Sequence, residues 1–374
     1  MGSQLNPPLS VAWKFGANYT TNRDTALLTS GEEYLDFFNL ISDGTNVYAT
    51  ASKNYFPSPG SPGSGRGAYL LALSLESGKA LWEMKLPVID PKGSGLAFLN
   101  NDSNTHMLIV GMAGALLSVD DRQERAVWSV NGSDGFPLAS PDGRVYTAVG
   151  SFWGGNGSKI CSYQGGGRIP TYGDGRVYTM GASGQGSSYQ GILHAFDART
   201  CAQLWTTPLG SKGDQWASYW STFHDGRVYA ADDTNLYAVD AASGKIIWNV
   251  ADGEQDFWPP AVHGNVVYLA GYVSSGKAGV AAFNGTNGQA LWRSESMPGD
   301  YFGVRPSASG KLVYAAIGCT IAALDSQTGK ASWQWSLDGC FSWYAYYGPL
   351  ISSSYLILSD DVSYLVAFRG NLSN

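Results

Sequence analysis

An all-β fold, a β-propeller of eight four-stranded antiparallel blades, is what this sequence predicts, and three observations predict it. An eleven-residue pattern, A-x-D-x-x-x-G-x-x-x-W, recurs six times along the chain. Short strand signals of the Val-Tyr type precede the copies. The composition, with 48 Gly, 16 Pro, 22 Tyr and 13 Trp among 374 residues and only 14% charged residues, describes many short strands joined by tight turns.

The copies run Ala72 to Trp82, Ser118 to Trp128, Ala195 to Trp205, Ala238 to Trp248, Ala282 to Trp292 and Ala323 to Trp333, with ten positions from first residue to Trp. Departures are mild: Ser118 stands for Ala, Ser74 and Asn284 for Asp, and Glu124 and Cys201 for Gly. Each copy reads as a hairpin, because alternating apolar residues such as Leu236, Ala238, Ile246 and Trp248 flank a turn whose Gly can take positive φ. Before each hairpin lies a strand such as Val47-Tyr48, Val145-Tyr146, Val177-Tyr178, Val228-Tyr229, Val267-Tyr268 or Val313-Tyr314, and before most of these a further short apolar segment. Four strands make a unit too small to bury both faces, so units must stack, and a closed ring leaves no open sheet edge.

The step from Trp128 to Trp205 is 77, where the neighbouring steps are 41 to 46. Two units fit in it, the first a degenerate one whose hairpin strand, Lys159 to Gln164, has lost its Trp; seven blades is the alternative if Gly150 to Ile169 is an inserted loop. The chain ends on a third strand, Leu365-Val366-Ala367-Phe368, and begins on a fourth, Val11-Ala12-Trp13-Lys14-Phe15, so the two ends are expected to complete one blade. The reading is one domain over residues 1–374, with residues 1–9 expected to form a disordered tail.

The repeated pattern with its Val-Tyr strand resembles the tryptophan-docking repeat of the PQQ-like, or quinoprotein alcohol dehydrogenase-like, propeller superfamily, and the resemblance covers nearly the whole chain. It implies that Trp82, Trp128, Trp205, Trp248, Trp292 and Trp333, with Trp13, tie neighbouring blades together and are structural. The superfamily includes cofactor-dependent dehydrogenases and non-catalytic propellers, among them a bacterial outer-membrane assembly lipoprotein, so fold does not settle function. Three features depart from a quinoprotein dehydrogenase: no adjacent Cys-Cys pair, no C-x-x-C-H haem attachment, and little sequence outside the repeats.

The formal net charge of -7, without a cluster of Lys and Arg, argues against nucleic acid or anionic membrane as a partner. The longest apolar stretch, Met107 to Val119, is interrupted by Gly111 and Gly114 and is too short for membrane insertion. Met1-Gly2-Ser3 is followed by no apolar core and does not read as a secretory leader. Six N-x-[ST] acceptors occur, at Asn18, Asn101, Asn131, Asn156, Asn284 and Asn371, where roughly three are expected by chance. The cysteines, Cys161, Cys201, Cys319 and Cys340, are even in number and lack metal-ligand spacing. They are expected to form two disulfides in an oxidising, extracellular compartment, against the alternative of four buried thiols in a cytosolic protein. Cys319 and Cys340 both fall on the side of the channel mouth and are paired on that ground, which leaves Cys161 with Cys201.

In a propeller, the connections from one blade's outer strand to the next blade's inner strand converge around the channel mouth. Here they are aromatic and carry acids. The ligand-binding candidates are Tyr34, Asp36, Phe37, Trp216, Trp220, Asp256, Trp258, Asp300, Phe302, Arg305, Trp343 and Tyr344, with Phe38, Phe98, Phe136 and Tyr172 nearby. Flat apolar faces beside carboxylates suit a sugar ring or a planar cofactor; the competing reading is that the same residues plug the axis. His194, His224 and His263 read as structural, and the pairs Asp232-Asp233 and Asp360-Asp361 as turn formers without EF-hand spacing.

The sequence thus predicts a secreted propeller that binds a protein or carbohydrate partner through the mouth and requires no cofactor. The alternatives are a PQQ- and calcium-dependent alcohol or sugar dehydrogenase, with PQQ on Trp216, Trp258 or Trp343, and a scaffold without a pocket.

Overall fold

The computed structural model describes residues 5–16, 33–55, 67–88, 94–99, 106–112, 114–132, 135–184, 190–210, 220–231, 235–251, 259–274, 277–297, 305–318, 320–336, 348–359 and 364–370. These form eight four-stranded antiparallel sheets, and the chain is an eight-bladed β-propeller. After β1 (Leu9–Gly16), the first blade is β2 (Glu33–Ser42), β3 (Asn46–Tyr55), β4 (Gly67–Ser74) and β5 (Ala80–Lys85); the second is β6 (Gly95–Leu99), β7 (Met107–Met112), β8 (Ala115–Asp120) and β9 (Arg125–Asn131). The third is β10 (Leu138–Ala139), β11 (Arg144–Tyr146), β12 (Gly150–Trp153) and β13 (Lys159–Ser162); the fourth is β14 (Arg168–Gly173), β15 (Arg176–Ser183), β16 (Gln190–Asp197) and β17 (Gln203–Pro208). The fifth is β18 (Ser221–His224), β19 (Arg227–Ala231), β20 (Asn235–Asp240) and β21 (Ile246–Ala251); the sixth is β22 (Ala261–His263), β23 (Val266–Ser274), β24 (Lys277–Asn284) and β25 (Ala290–Arg293). The seventh is β26 (Ser307–Ser309), β27 (Leu312–Ile317), β28 (Thr320–Asp325) and β29 (Ala331–Ser336), and the eighth is β30 (Leu350–Ser352), β31 (Tyr355–Ser359) and β32 (Tyr364–Gly370) completed by β1.

Within a blade the strands differ by position. The second and third strands, such as β19 and β20, are apolar and buried except at their ends because neighbouring blades cover both their faces, whereas fourth strands such as β21 expose alternate residues. The small first residue of the repeat is explained by register: Ala238 pairs directly with Trp248, Ala195 with Trp205 and Ala323 with Trp333, each just before a bulge. A methyl group there leaves room for the indole opposite.

The molecule divides into two compact units. In the unit spanning 95–296, tryptophans of successive blades reach forward. The indole N–H of Trp128 donates to the Gly154 carbonyl at 2.7 Å, Trp205 to Ala241 at 3.2 Å, and Trp248 to Gly285 at 3.1 Å. The hydroxyls of Tyr178 and Tyr229 donate to the last two of those carbonyls, at 3.3 and 3.1 Å, so the Val-Tyr strand and the Trp hairpin converge on one acceptor. The turn Gly lies beneath the ring: a Cβ on Gly244 would come within 2.7 Å of Trp205, and one on Gly157 within 2.5 Å of Trp128. Nearer the axis, Thr171 Oγ1 donates to the Ser221 carbonyl at 2.7 Å and Thr222 Oγ1 to Pro260 at 2.6 Å, latching consecutive inner strands.

The third blade solves the same problem differently. Ser151 pairs with Cys161 just before a bulge, which places Cys161 in the slot of the missing Trp, ten residues after Ser151. Cys201, in the fourth blade, occupies the Gly slot of its repeat, keeps positive φ (57°), and makes the turn bond to Asp197 that Gly244 makes to Asp240. The two sulfurs are bonded to each other. Where other blades set an indole over a glycine, these two set a covalent bond. The ring of Tyr163, two residues beyond Cys161, fills the adjacent space by stacking on Phe196 at 4.6 Å. Cys319 and Cys340 lie outside the described residues.

In the unit made of 1–94 and 297–374, β1 pairs antiparallel with β32, with Trp13 opposite Ala367, so the two chain ends share the eighth blade. The indole of Trp13 donates to the Leu75 carbonyl at 2.8 Å, and Ser352 Oγ donates to Ser42 Oγ at 2.8 Å. The expectation of a disordered tail over residues 1–9 is corrected for residues 5–9. Leu9 begins β1, Leu5 is 1% exposed, and the Tyr314 hydroxyl donates to the Leu5 carbonyl at 2.6 Å. Because β32 and β1 are not joined by a hairpin, Leu5 supplies the carbonyl that a third-to-fourth-strand turn supplies to Tyr178 and Tyr229. Residues 1–4 lie outside the described residues.

Two outcomes follow for stability. Cys161→Ser with Cys201→Ser removes a cross-link between residues 40 apart, worth about 2–4 kcal/mol. The triple variant Cys161→Trp, Tyr163→Val, Cys201→Gly, which rebuilds the indole-on-glycine arrangement, recovers most of that loss in denaturant unfolding; equal stability of the double and triple variants contradicts the equivalence. Leu5→Asp places an unpaired charge at a buried site and lowers the melting temperature, whereas the same change at the exposed Ser10 leaves it unaltered.

Candidate functional site

Two of the predicted aromatic connections meet. Phe136 lies between β9 and β10 and Trp220 between β17 and β18, and their rings are 5.8 Å apart at 58°. Connections leaving the second and fourth blades therefore approach each other. Each is held by its backbone. The segment Gly135 to Pro137 lies flat on β6 and β7 because Gly95 and Gly111 have no side chains; a Cβ on Gly111 would come 2.4 Å from the Gly135 carbonyl oxygen. Trp220 is fixed by its neighbour Ser221, whose carbonyl takes the Thr171 hydroxyl. Both rings are partly exposed.

The other described candidates divide between inner strands and connections. Tyr34, Asp36 and Phe37 are residues of β2 and not of a connection, with Tyr34 opposite Asn54 and Asp36 opposite Ser52. Phe37 is 5% exposed and packs with Trp13, Phe15 and Leu71, so its ring belongs to the blade interior. Phe98 and Tyr172 likewise fall on inner strands, β6 and β14. Arg305 precedes β26. Trp216, Asp256, Trp258, Asp300, Phe302, Trp343 and Tyr344 lie outside the described residues, as do Asp232, Asp233, Asp360 and Asp361.

The junction of the third and fourth blades holds unusual polar groups. Tyr146 stacks on Tyr172 at 5.2 Å, and the buried hydroxyls of Tyr146 and Tyr163 have no hydrogen-bond partner among the described residues. Burial, and then the nearby Tyr146, push the Tyr163 phenol far above its ordinary range. Burial thus favours its neutral form, and its ring packs on Phe196. His194 is stacked beside Phe196, and burial holds its pKa below 6.5. The repeat Asp residues are turn caps: the side-chain hydroxyl of Ser243 and its backbone N–H bond Asp240 and lower its pKa, and Thr328 does the same for Asp325.

Sequence reasoning passed over Trp153. Among the described residues it is the aromatic left most open, at 45% exposure, and the Arg144 guanidinium lies 5.3 Å from its ring centre. It occupies the Asp slot of the degenerate repeat, two residues after Ser151, and that substitution was the available signal.

With this geometry in place, comparison with known proteins adds a family match over part of the chain. The family model described as outer membrane protein assembly factor BamB matches residues 189–341, the stretch holding four of the six Trp-ended repeats. The chain is an eight-bladed β-propeller, and this part of it matches a PQQ-like repeat model. BamB of Escherichia coli strain K12 is 35% identical over 104 residues, 26% of this chain and 26% of that protein. The chain thus matches about a quarter of the length of that curated relative. Among solved structures, BamB from Moraxella catarrhalis superposes with a TM-score of 0.62 at 16% identity, covering 96% of this chain and 99% of the other. Quinohemoprotein alcohol dehydrogenase from Comamonas testosteroni superposes with 0.67 at 12% identity, covering 98% and 77%. At such identities the likeness is one of fold, BamB-like or quinoprotein dehydrogenase-like.

The depressed pKa of His194 has a measurable consequence. Its buried neutral form is favoured in the folded chain, so its contribution to stability is full above pH 6.5 and is lost as pH falls from there through the lower folded value. His194→Gln flattens that part of the stability-versus-pH curve in urea titrations; an unchanged slope places the acid sensitivity in other groups.

Proposed function

We propose that this propeller is a secreted interaction module that contacts a protein or glycan partner through its aromatic channel mouth. The observation that carries the reading is the approach of Phe136 and Trp220, two partly exposed rings delivered by connections from different blades onto one surface. Paired aromatic faces bury apolar area against a sugar ring or an apolar side chain without needing a fixed charge partner. The Cys161–Cys201 bridge supports an extracytoplasmic location, since structural disulfides persist in oxidising compartments, and the sequons fit a secreted glycoprotein. The same reading takes the indole-to-carbonyl bonds of Trp13, Trp128, Trp205 and Trp248 as the tryptophan-docking girdle that leaves those residues structural.

The second reading, a PQQ- and calcium-dependent dehydrogenase, draws on the likeness to a quinohemoprotein alcohol dehydrogenase. The cysteine part of that resemblance does not fit. No two cysteines are adjacent, and Cys161 is spent bridging two blades. The tryptophans and acids that would face PQQ lie outside the described residues, and no catalytic step is derived from them.

A glycan array and a pull-down from the native extracellular fluid, run with the wild-type chain and with Trp220→Ala and Phe136→Ala, test the first reading. Binding falls by about tenfold, the equivalent of 1.4 kcal/mol, while the circular dichroism is unchanged. Full binding by both variants moves the contact away from the mouth. Alcohol-dependent dye reduction after addition of PQQ and calcium would replace this reading with the second.

A further inference from the structure

We propose that Asn156 carries an N-linked glycan whose first N-acetylglucosamine stacks on the ring of Trp153; this rests on the reading of the chain as secreted. The β12–β13 turn is Trp153-Gly154-Gly155-Asn156-Gly157-Ser158. It is closed by the Trp153 N–H on the Ser158 carbonyl at 2.9 Å and the Gly157 N–H on the Trp153 carbonyl at 2.7 Å, and its underside is fixed by the Trp128 indole on Gly154. Asn156 is exposed at the tip. Its Oδ1 accepts from the Ser158 N–H at 3.0 Å and from the Ser158 hydroxyl at 2.8 Å. The sequon hydroxyl is thereby held against the side chain to be modified, and the Nδ2 amide has no partner among the described residues. A Cβ on Gly155 would meet nothing within 4 Å, so the space beside Asn156 is open.

Trp153 gives this site a receiver. In the fourth, fifth and seventh blades the equivalent residue is Asp197, Asp240 or Asp325, whose carboxylate caps the turn's N–H groups. In the third blade Asn156 itself caps the turn, which releases that slot for a tryptophan. Arg144, anchored to Asp142 at 3.1 Å, lies against the Trp153 ring, and 45% of the residue stays open to solvent. The apolar face of a hexose ring packs well on such an aromatic surface. Asn284 makes the contrast. Its sequon hydroxyl, on Thr286, donates to Asn265 instead, and the Gly285 carbonyl is taken by Trp248 and Tyr229. In the transfer, the Asn156 Nδ2 forms a bond to the anomeric carbon of a lipid-diphosphate-linked oligosaccharide and gives up one proton. The anomeric carbon–oxygen bond breaks and the lipid diphosphate leaves.

The full chain secreted from a eukaryotic host, digested and treated with peptide-N-glycosidase in heavy-oxygen water, is expected to carry the isotopic label at Asn156 in most molecules. Enzymatic removal of the glycan from the folded protein lowers the melting temperature; trimming to the first sugar leaves it unchanged, and in Trp153→Ala neither treatment shifts it. Asn156 found bare in a chain whose Cys161–Cys201 bridge has formed overturns this inference and leaves the secreted reading standing, as does a shift in Trp153→Ala equal to that of the wild type. A chain that accumulates without bridge or glycan overturns both.

Discussion

The antiparallel pairing of β1 with β32 sets one sheet out of strands from opposite ends of the chain. Every other blade is built from consecutive strands and needs only local hairpins, but the eighth exists only if the termini meet. A propeller that failed to make this pairing would leave β1 unpaired and one edge of β32 open. The chain reinforces the joint beyond the ladder itself. Trp13 on β1 reaches the first blade through Leu75, and Leu5, before β1, satisfies the Tyr314 hydroxyl in the seventh. The amino-terminal segment is thus the clasp of the ring and not an appendage to it.

The third blade shows how much variation this plan tolerates. An indole over a glycine contributes apolar burial and one hydrogen bond, and depends on both partners. A large ring without a glycine beneath it would clash, and a glycine without the ring would leave a void. Loss of Trp at position 161 is matched by loss of Gly at 201, and both are Cys. The replacement is covalent and smaller, and Tyr163 fills the remaining volume at the cost of leaving its hydroxyl, and that of Tyr146, without a partner among the described residues. The same blade is the one that turns a tryptophan outward at 153 beside a sequon. Both features arise where the repeat pattern is least well kept, as expected where other demands compete with the fold.

The approach of Phe136 to Trp220 follows from this frame. The latches of Thr171 and Thr222 hold the ends of the connections that enter β18 and β22, so an aromatic placed next to an anchored carbonyl, as Trp220 is next to Ser221, is aimed by the backbone and not by its own packing. Phe37, in contrast, sits within a strand and is consumed by the core. The difference between a partly exposed ring and a buried one lies here in whether the chain at that point is connection or strand.

The sequence by itself determined the repeat, because the ten-residue spacing from a small residue to Trp and the Val-Tyr strand ahead of it are local periodicities kept in six copies; that the copy without its Trp is a blade of its own, making eight and not seven, is shown by its separate four-stranded sheet. It also determined the partnership of the two ends, each an incomplete unit. It misplaced residues 5–9 and the strand membership of Tyr34, Asp36 and Phe37, since no local pattern tells a long inner strand from an aromatic loop. Only the tertiary structure decided that Cys161 and Cys201 fill matching slots across two blades, that Leu5 meets Tyr314, and that Phe136 meets Trp220. Those are contacts between residues of widely separated sequence position, and their geometry is set by how blades stack, which no single repeat encodes.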